Sequence, residues 1–294
     1  MAAVNGKVYV FGGWDTEFRP QSAIDVFDPA TGVWQTLAGV TNPAPRAAAA
    51  AVVVEGPIYL VGGCRDALCR ASADVLAFDP ATGTFRARAD YPHEVAWHAC
   101  GAIDLRIYCA GGYSHDGEYA DTLAYNPDTD RWSARAAMPE HVTGAAYSVA
   151  AGRLVLAGGM LSAGEITDQT IGYDPVADAW QELAPTGQAA SRGAGACGGL
   201  AIGGMSPQWA ALPSISRWSG ADGCAPQAEV PWLRVRPASF TLAPGASKAV
   251  TLRFTADAAT GVDGPGRYTA TLALRALTPY PVPTVPVELT VRQR

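Results

Sequence analysis

Residues 58–85 read IYLVGGCRDALCRASADVLAFDPATGTF, and three marks within this stretch decide the fold. A short apolar run, Ile58-Tyr59-Leu60-Val61, stops at the doublet Gly62-Gly63. A second run ends in Phe78-Asp79-Pro80, and an aromatic, Phe85, stands seven residues after Phe78. The marks recur along the chain. Doublets stand at Gly12-Gly13, Gly62-Gly63, Gly111-Gly112, Gly158-Gly159 and Gly203-Gly204, spaced by 50, 49, 47 and 45 residues. The triplets Phe27-Asp28-Pro29, Tyr125-Asn126-Pro127 and Tyr173-Asp174-Pro175 repeat the second mark, and Trp34, Trp132 and Trp180 repeat the third. Such a unit is too small to bury its own apolar faces, so neighbouring units must stack.

Within the second repeat four strands are expected, A over 47–54, B over 58–61, C over 74–78 and D over 85–88. Two-residue turns between A and B fall at equivalent places, Asn5-Gly6, Glu55-Gly56, Asp104-Leu105 and Ala151-Gly152. Proline in the C–D turn presets φ near −65°, and Gly32 or Gly83 takes the positive φ that ends the turn. The doublet closes strand B where backbones crowd. It is not a phosphate loop, because no helix follows to offer its N-terminus to an anion.

Doublet, aromatic-Asp-Pro triplet and late tryptophan together resemble the kelch type of β-propeller blade over about residues 2–224. The resemblance implies an all-β fold with five recognisable repeats, the first and last incomplete. Only Ala2, Ala3 and Val4 stand for the innermost strand of the first blade. The fifth repeat carries Trp218 at the strand C aromatic position, but Ala225 where the strand D tryptophan would be. Residues 225–231 read as a linker, and 232–294 alternate apolar and polar residues, as in Val250, Leu252 and Phe254 or Val285, Val287, Leu289 and Val291. That segment resembles the immunoglobulin-like or fibronectin type III-like modules of secreted bacterial proteins, so a C-terminal β-sandwich is expected.

The 294 residues carry a net charge of −6, with Lys and Arg in no run longer than two. The basic footprint of a nucleic-acid or anionic-membrane partner is missing. The longest apolar run, 47–54, is far shorter than the roughly 20 residues that span a bilayer. Met1 to Gly6 shows neither the basic nor the apolar region of a signal peptide. Six cysteines nevertheless suit three local bridges. Cys64 and Cys69 share one loop, Cys100 faces Cys109 if Asp104-Leu105 is a two-residue turn, and Cys197 and Cys224 flank one end of the fifth blade. Bridges imply a secreted, extracellular protein whose export signal lies outside this chain; buried free thiols in a cytosolic protein are the alternative.

With strands running A to D, the D–A and B–C loops of every blade emerge on one face. Trp14, Arg46, Trp97, His98, Tyr113, His115, His141 and Arg192 are the candidate ligand-binding residues there, with Phe18, His93 and Trp209 nearby. Arg46 and Arg192 take the place of the arginine that often opens strand A in kelch blades. Exposed aromatics beside polar groups suit stacking on a sugar or anchoring a peptide. No metal is expected, since His93 and His98 have no third ligand at a defined spacing, and Asp116, Glu118 and Asp121 lack the order of a calcium loop. No cofactor is expected either.

Three function classes compete. A non-catalytic extracellular module binding a protein or glycan is the reading favoured by the loops. A kelch-type carbohydrate-active enzyme is the second, as a sugar epimerase or a galactose-oxidase-like copper oxidase. The oxidase needs a Tyr-His pair and a histidine from the C-terminal domain, and neither occurs here. The third is an accessory segment of a larger secreted enzyme, such as a subtilisin-type protease with its catalytic domain upstream. No catalytic residue is assigned in this chain.

Overall fold

In the computed structural model the described residues are 1–196, 199–217, 232–236, 241–243, 246–257, 260, 262, 264–273 and 284–292. They fall into two compact units, Met1–Pro226 and Gln227–Arg294. The bridge expected between Cys197 and Cys224, the linker 225–231 and the Trp218 position lie outside the described residues.

The first unit is a five-bladed propeller of meandering antiparallel sheets. The first blade comprises β1 (Ala2–Val4), β2 (Lys7–Phe11), β3 (Ile24–Asp28) and β4 (Val33–Thr36). The second comprises β5 (Ala50–Val53), β6 (Ile58–Val61), β7 (Val75–Asp79) and β8 (Thr84–Arg88). In the third, β9 (Ala99–Ile103) and β10 (Arg106–Ala110) are followed by a short ribbon, β11 (Tyr113–Ser114) and β12 (Gly117–Glu118), before β13 (Thr122–Asn126) and β14 (Arg131–Arg135). The fourth holds β15 (Ala146–Ala150), β16 (Arg153–Ala157), β17 (Thr170–Asp174) and β18 (Ala179–Leu183). Among the described residues the fifth shows three strands, β19 (Ala194–Ala196), β20 (Leu200–Ile202) and β21 (Ile215–Arg217). Innermost strands pack side by side in the order β1, β5, β9, β15, β19.

The turns obey the expected chemistry. Asp104 and Leu105 have φ of 49° and 61°, the conformation of a primed two-residue hairpin without any glycine. That register sets Cys100 opposite Cys109, which are joined with a Cα separation of 4.1 Å. Cys64 and Cys69 form the second bridge.

The doublets explain how blades join. The second glycine of four doublets donates its amide to the carbonyl of the residue entering the next blade. Gly13 reaches Arg46 at 3.1 Å, Gly63 reaches Val95 at 2.8 Å, Gly112 reaches Val142 at 2.9 Å and Gly159 reaches Ala190 at 2.8 Å. The first glycine faces that same oxygen. A Cβ on Gly12, Gly62, Gly111 or Gly158 would collide with the carbonyl of Arg46, Val95, Val142 or Ala190. Gly203, in the fifth doublet, meets no such carbonyl from a following blade; its closest contact would be Leu212 O at 3.4 Å.

Strand D aromatics bind the preceding blade from outside. Trp132 Nε1 donates to Ala89 O at 3.0 Å, and Trp180 Nε1 donates to Ala136 O at 3.1 Å and Thr122 Oγ1 at 2.9 Å. Phe85 meets Phe11 edge-on at 6.4 Å. Trp34 is 57% exposed and tilts onto Phe27 of its own blade. In the third and fourth blades Asp130 and Asp178 occupy the turn position that Gly32 and Gly83 hold earlier, at φ of 52° and 48°. Each accepts from its own blade's tyrosine (Tyr125, Tyr173) and from the preceding blade's amide at 2.9 Å (Ala89, Ala136). These accepted bonds, the backbone amide's foremost, hold both carboxyl groups below the usual aspartate range.

The second unit shows two antiparallel ribbons, β22 (Leu233–Arg236) with β23 (Thr251–Phe254) and β24 (Gly266–Ala273) with β25 (Thr284–Val291). Trp232, Val262 and Val287 form its buried apolar cluster. Among the described residues no helix is long and apolar enough to cross a membrane.

Gly111 and Gly152 both sit in the left-handed region, at φ of 69° and 73°, but only Gly111 is crowded. Gly111→Ala is therefore expected to lower unfolding free energy by about 1–3 kcal/mol more than Gly152→Ala. Urea unfolding of both variants checks this, and equal losses would refute the close blade junction.

Candidate binding site

The residues that lead into the innermost strands share a backbone state that bulky side chains seldom adopt. Ala48, Trp97, Gly144 and Arg192, each two residues ahead of β5, β9, β15 or β19, have φ of 51°, 57°, 63° and 58°. Their amides link one blade to the next. Trp97 donates to Ala48 O at 3.1 Å, Gly144 to Trp97 O at 2.8 Å and Arg192 to Gly144 O at 2.6 Å. Non-glycine residues in this state cost on the order of 1 kcal/mol or more each, so the surrounding contacts must over-determine them.

Two of these four positions carry large side chains, and they meet. The guanidinium carbon of Arg192 lies 4.7 Å from the Trp97 ring centre and 5.1 Å from that of Trp209. Trp14 tilts against Trp97 with centroids 5.8 Å apart, and its indole Nε1 donates to Asp66 O at 3.4 Å. Trp209 also has positive φ, 59°, and remains 49% exposed in a loop turned by its amide bond to Ser206 O. Trp14, Trp97, Arg192 and Trp209 thus form a row drawn from the first, third and fifth blades. A cation over an indole face contributes about 0.5–2 kcal/mol, so two such faces hold the exposed Arg192 in a preformed position. Tyr113 feels the same cation. Burial raises its hydroxyl pKa, while the Arg192 charge pulls the other way.

A second, polar group spans the third and fourth blades. His93 pairs with Asp121 at 2.8 Å, has its other ring nitrogen 3.1 Å from Glu94 O, and lies on Tyr119 at 3.8 Å between centroids. His141 Nε2 stands 2.6 Å from Glu118 and 2.9 Å from Ser162 Oγ. Serine, histidine and carboxylate are together here, but both partners claim one ring nitrogen. A proton relay to a nucleophile needs them on opposite nitrogens, so His141 acts as a tie between loops.

Two expected face residues lie inside. Arg46 is 2% exposed and donates to the carbonyls of Ala44, Gly62 and Asp74, each at 3.0 Å, so it braces the second doublet. A ligand on the loop face cannot reach a guanidinium so enclosed. His98 is 3% exposed and fits between the doublets of the second and third blades, against Gly62 and Gly112. Burial lowers its pKa to about 3, with the charge of His93 adding to the effect and Asp121 opposing it. His115 is exposed at the tip of the β11–β12 ribbon, and His141 is half-buried in the polar group. Trp209, placed by its sequence near the candidate residues of the face, belongs to the row. The signal was present, a tryptophan in the B–C loop where the first repeat has Phe18.

For His93, burial disfavours the charged ring, but the bonds to Asp121 and Glu94 outweigh it and raise the pKa above 6.5. A raised folded-state value stabilises the fold below the unfolded pKa, and that contribution fades as pH climbs through the folded value. NMR titration should show Asp121→Asn lowering the His93 pKa relative to the native protein, because burial is then opposed only by the bond to Glu94 O. An unshifted value would contradict the assignment.

Comparison with known proteins agrees with this architecture. Residues 1–202 match the family described as the KLHDC2/KLHL20/DRC7 Kelch-repeats domain. Kelch-like protein 38 of Danio rerio is 31% identical over 119 residues, 40% of this chain and 19% of that protein. Kelch-like protein 35 of Mus musculus is 29% identical over 122 residues, again 40% and 19%, and alpha-scruin of Limulus polyphemus is 28% identical over 117 residues, 38% and 12%. The alignments thus span about a fifth or less of each relative's length. The solved structure titled "Structure of YjhT" superposes with a TM-score of 0.64 at 18% identity, covering 73% of this chain and 78% of that one, a likeness of fold. With residues 1–202, more than half of its length, matched, the chain belongs to the kelch-repeat propeller family.

Proposed function

We propose that this propeller is a non-catalytic interaction module that docks a partner protein on the loop face carrying Trp14, Trp97, Arg192 and Trp209. The observation that carries this reading is the Arg192 guanidinium held between two indoles at the loop ends of the third and fifth blades. Tryptophan and arginine are the residue types that dominate protein contact energies, and preformed side chains lose little entropy on docking. The cavity between the fourth and fifth blades, lined by Ala157, Gly158, Ala190, Gly193 and Ala201 among others, holds only about 10 Å³. That is room for one water, far from the several hundred Å³ of a typical small-molecule site, which favours an extended contact surface.

The reading extends to the setting. Two bridges within the propeller support an oxidising compartment and thus a secreted protein. The C-terminal ribbons then act as a small immunoglobulin-like or fibronectin type III-like spacer. A glycan ligand is the second reading, favoured by the same indole faces.

Arg192→Ala with Trp209→Ala is expected to weaken partner binding by roughly 10–100-fold, while the exposed positions leave the thermal midpoint within a few degrees. Pull-downs from culture supernatant and glycan arrays, run with native and variant protein, check this. A partner retained equally by both proteins would contradict the proposed surface, and binding confined to a glycan array would replace the protein reading.

A further inference from the structure

Beneath the loop face, the first hairpin of the third blade gathers three metal-ligating atoms in an apolar environment. Cys100 and Cys109 face each other across β9 and β10, 3% and 0% exposed. A ring nitrogen of His98 joins the two sulfurs, and all three atoms lie within 4.8 Å of one another. Neither nitrogen of His98 has a hydrogen-bond partner, although a buried imidazole has both a donor and an acceptor to satisfy. Counting from each doublet-linked carbonyl, the positions equivalent to His98 in the other blades are Ala49, Ala145 and Gly193, so the fold itself does not call for an imidazole there. The hydroxyl of Tyr91, also buried and without a partner, belongs to the same cluster, its ring centroid 5.7 Å from that of His98.

We propose that when Cys100 and Cys109 are thiols, they and His98 form a buried site for a soft d¹⁰ cation, Zn²⁺ or Cu⁺, so that bridge and metal are alternative occupants of one hairpin. Thiolates at about 2.3 Å and an imidazole nitrogen at about 2.0 Å from an ion stand less than about 4.6 Å apart from one another. The present spacing, within 4.8 Å, lies a few tenths of an ångström from that bound, and rotation about the cysteine side-chain bonds once the S–S bond is open sets the sulfurs around an ion. Two thiolates and one imidazole suit Cu⁺ with three ligands, or Zn²⁺ with a fourth ligand such as water. The ring nitrogen not bound to the ion would still need an acceptor for its proton. Loading releases two protons, one from each thiol, so affinity falls as pH falls. Passage from the bridged to the metal state requires a thiol reductant: two R–SH molecules become one R–S–S–R, and the Cys100–Cys109 bond becomes two thiols.

The test uses the full chain, reduced in a phosphine reductant and titrated with Co²⁺, followed by Zn²⁺. One equivalent of Co²⁺ should give a thiolate-to-cobalt band in the near ultraviolet, Zn²⁺ should displace it, and the bridged protein should show none. Cys100→Ser should abolish the band. His98→Ala leaves both cysteines in place and should weaken binding at least 10-fold and shift the visible cobalt bands as the nitrogen ligand is lost. Cys64→Ser with Cys69→Ser should change nothing. A reduced, folded chain without the band, a band that survives unchanged in His98→Ala, or a reduced chain that unfolds and is not restored by Zn²⁺ would overturn the proposal.

Discussion

Where one blade hands over to the next, two backbones approach so closely that a Cβ has no place between them. The first glycine of a doublet faces the carbonyl oxygen of the residue entering the following blade, and the second glycine donates its amide to that same oxygen. Four junctions repeat this arrangement, and everything outward depends on it. The junction sets the angle at which sheets succeed one another, and so lets strand D tryptophans reach the preceding blade. It also delivers the chain into each innermost strand at a point where left-handed residues can bond to one another from blade to blade. The steric demand explains the glycines more fully than any need for flexibility. At Gly203 the same collision is absent among the described residues, where Leu212 O at 3.4 Å is the nearest atom to a Cβ.

Much of this scaffold was legible because local chemistry determines it. A two-residue turn at Asp104-Leu105 dictates the register of β9 and β10, and register alone sets Cys100 against Cys109. Trp132 and Trp180 were readable as inter-blade contacts from their place after an aromatic-Asp-Pro or aromatic-Asn-Pro turn. Other features were not readable. Asp130 and Asp178 stand at the turn position that Gly32 and Gly83 hold in the first two repeats, and they add a carboxylate clamp that glycine lacks. Arg46 looks like a face residue in sequence, yet three backbone carbonyls draw its guanidinium inward. His98 is one position from the exposed row, but the strand alternation that begins there turns it into the core. Which loop residues converge was beyond the sequence, because Arg192 and Trp209 reach Trp97 only through the curvature accumulated over three blades.

A rigid inner collar and a row of indoles on the loop face, Trp14 and Trp97 half-buried and Trp209 exposed, divide the labour of this protein. Strained positions carry Trp97 and Arg192, and the strain is tolerated because their own amides bond to neighbouring blade entries at Ala48 and Gly144 and Trp97 O accepts from Gly144. A partner therefore meets side chains whose orientation is settled before contact, which lowers the entropic cost of docking. Polar groups elsewhere on the face, such as Glu118, His141 and Ser162, tie loops together. The hairpin beneath the row adds chemistry of another kind, with two sulfurs and an unsatisfied imidazole placed for either a bridge or an ion.

The blade-to-blade hydrogen bonds are the most direct point of attack. Amide hydrogen exchange, resolved by NMR, reports on Gly63, Gly112 and Gly159 and on Trp97, Gly144 and Arg192, all of which lie outside regular strands. The junctions described above require these amides to exchange as slowly as those of β6 and β10 in the blade cores. Exchange as fast as that of Thr31 in an exposed C–D turn would show that the blades are not joined in this way.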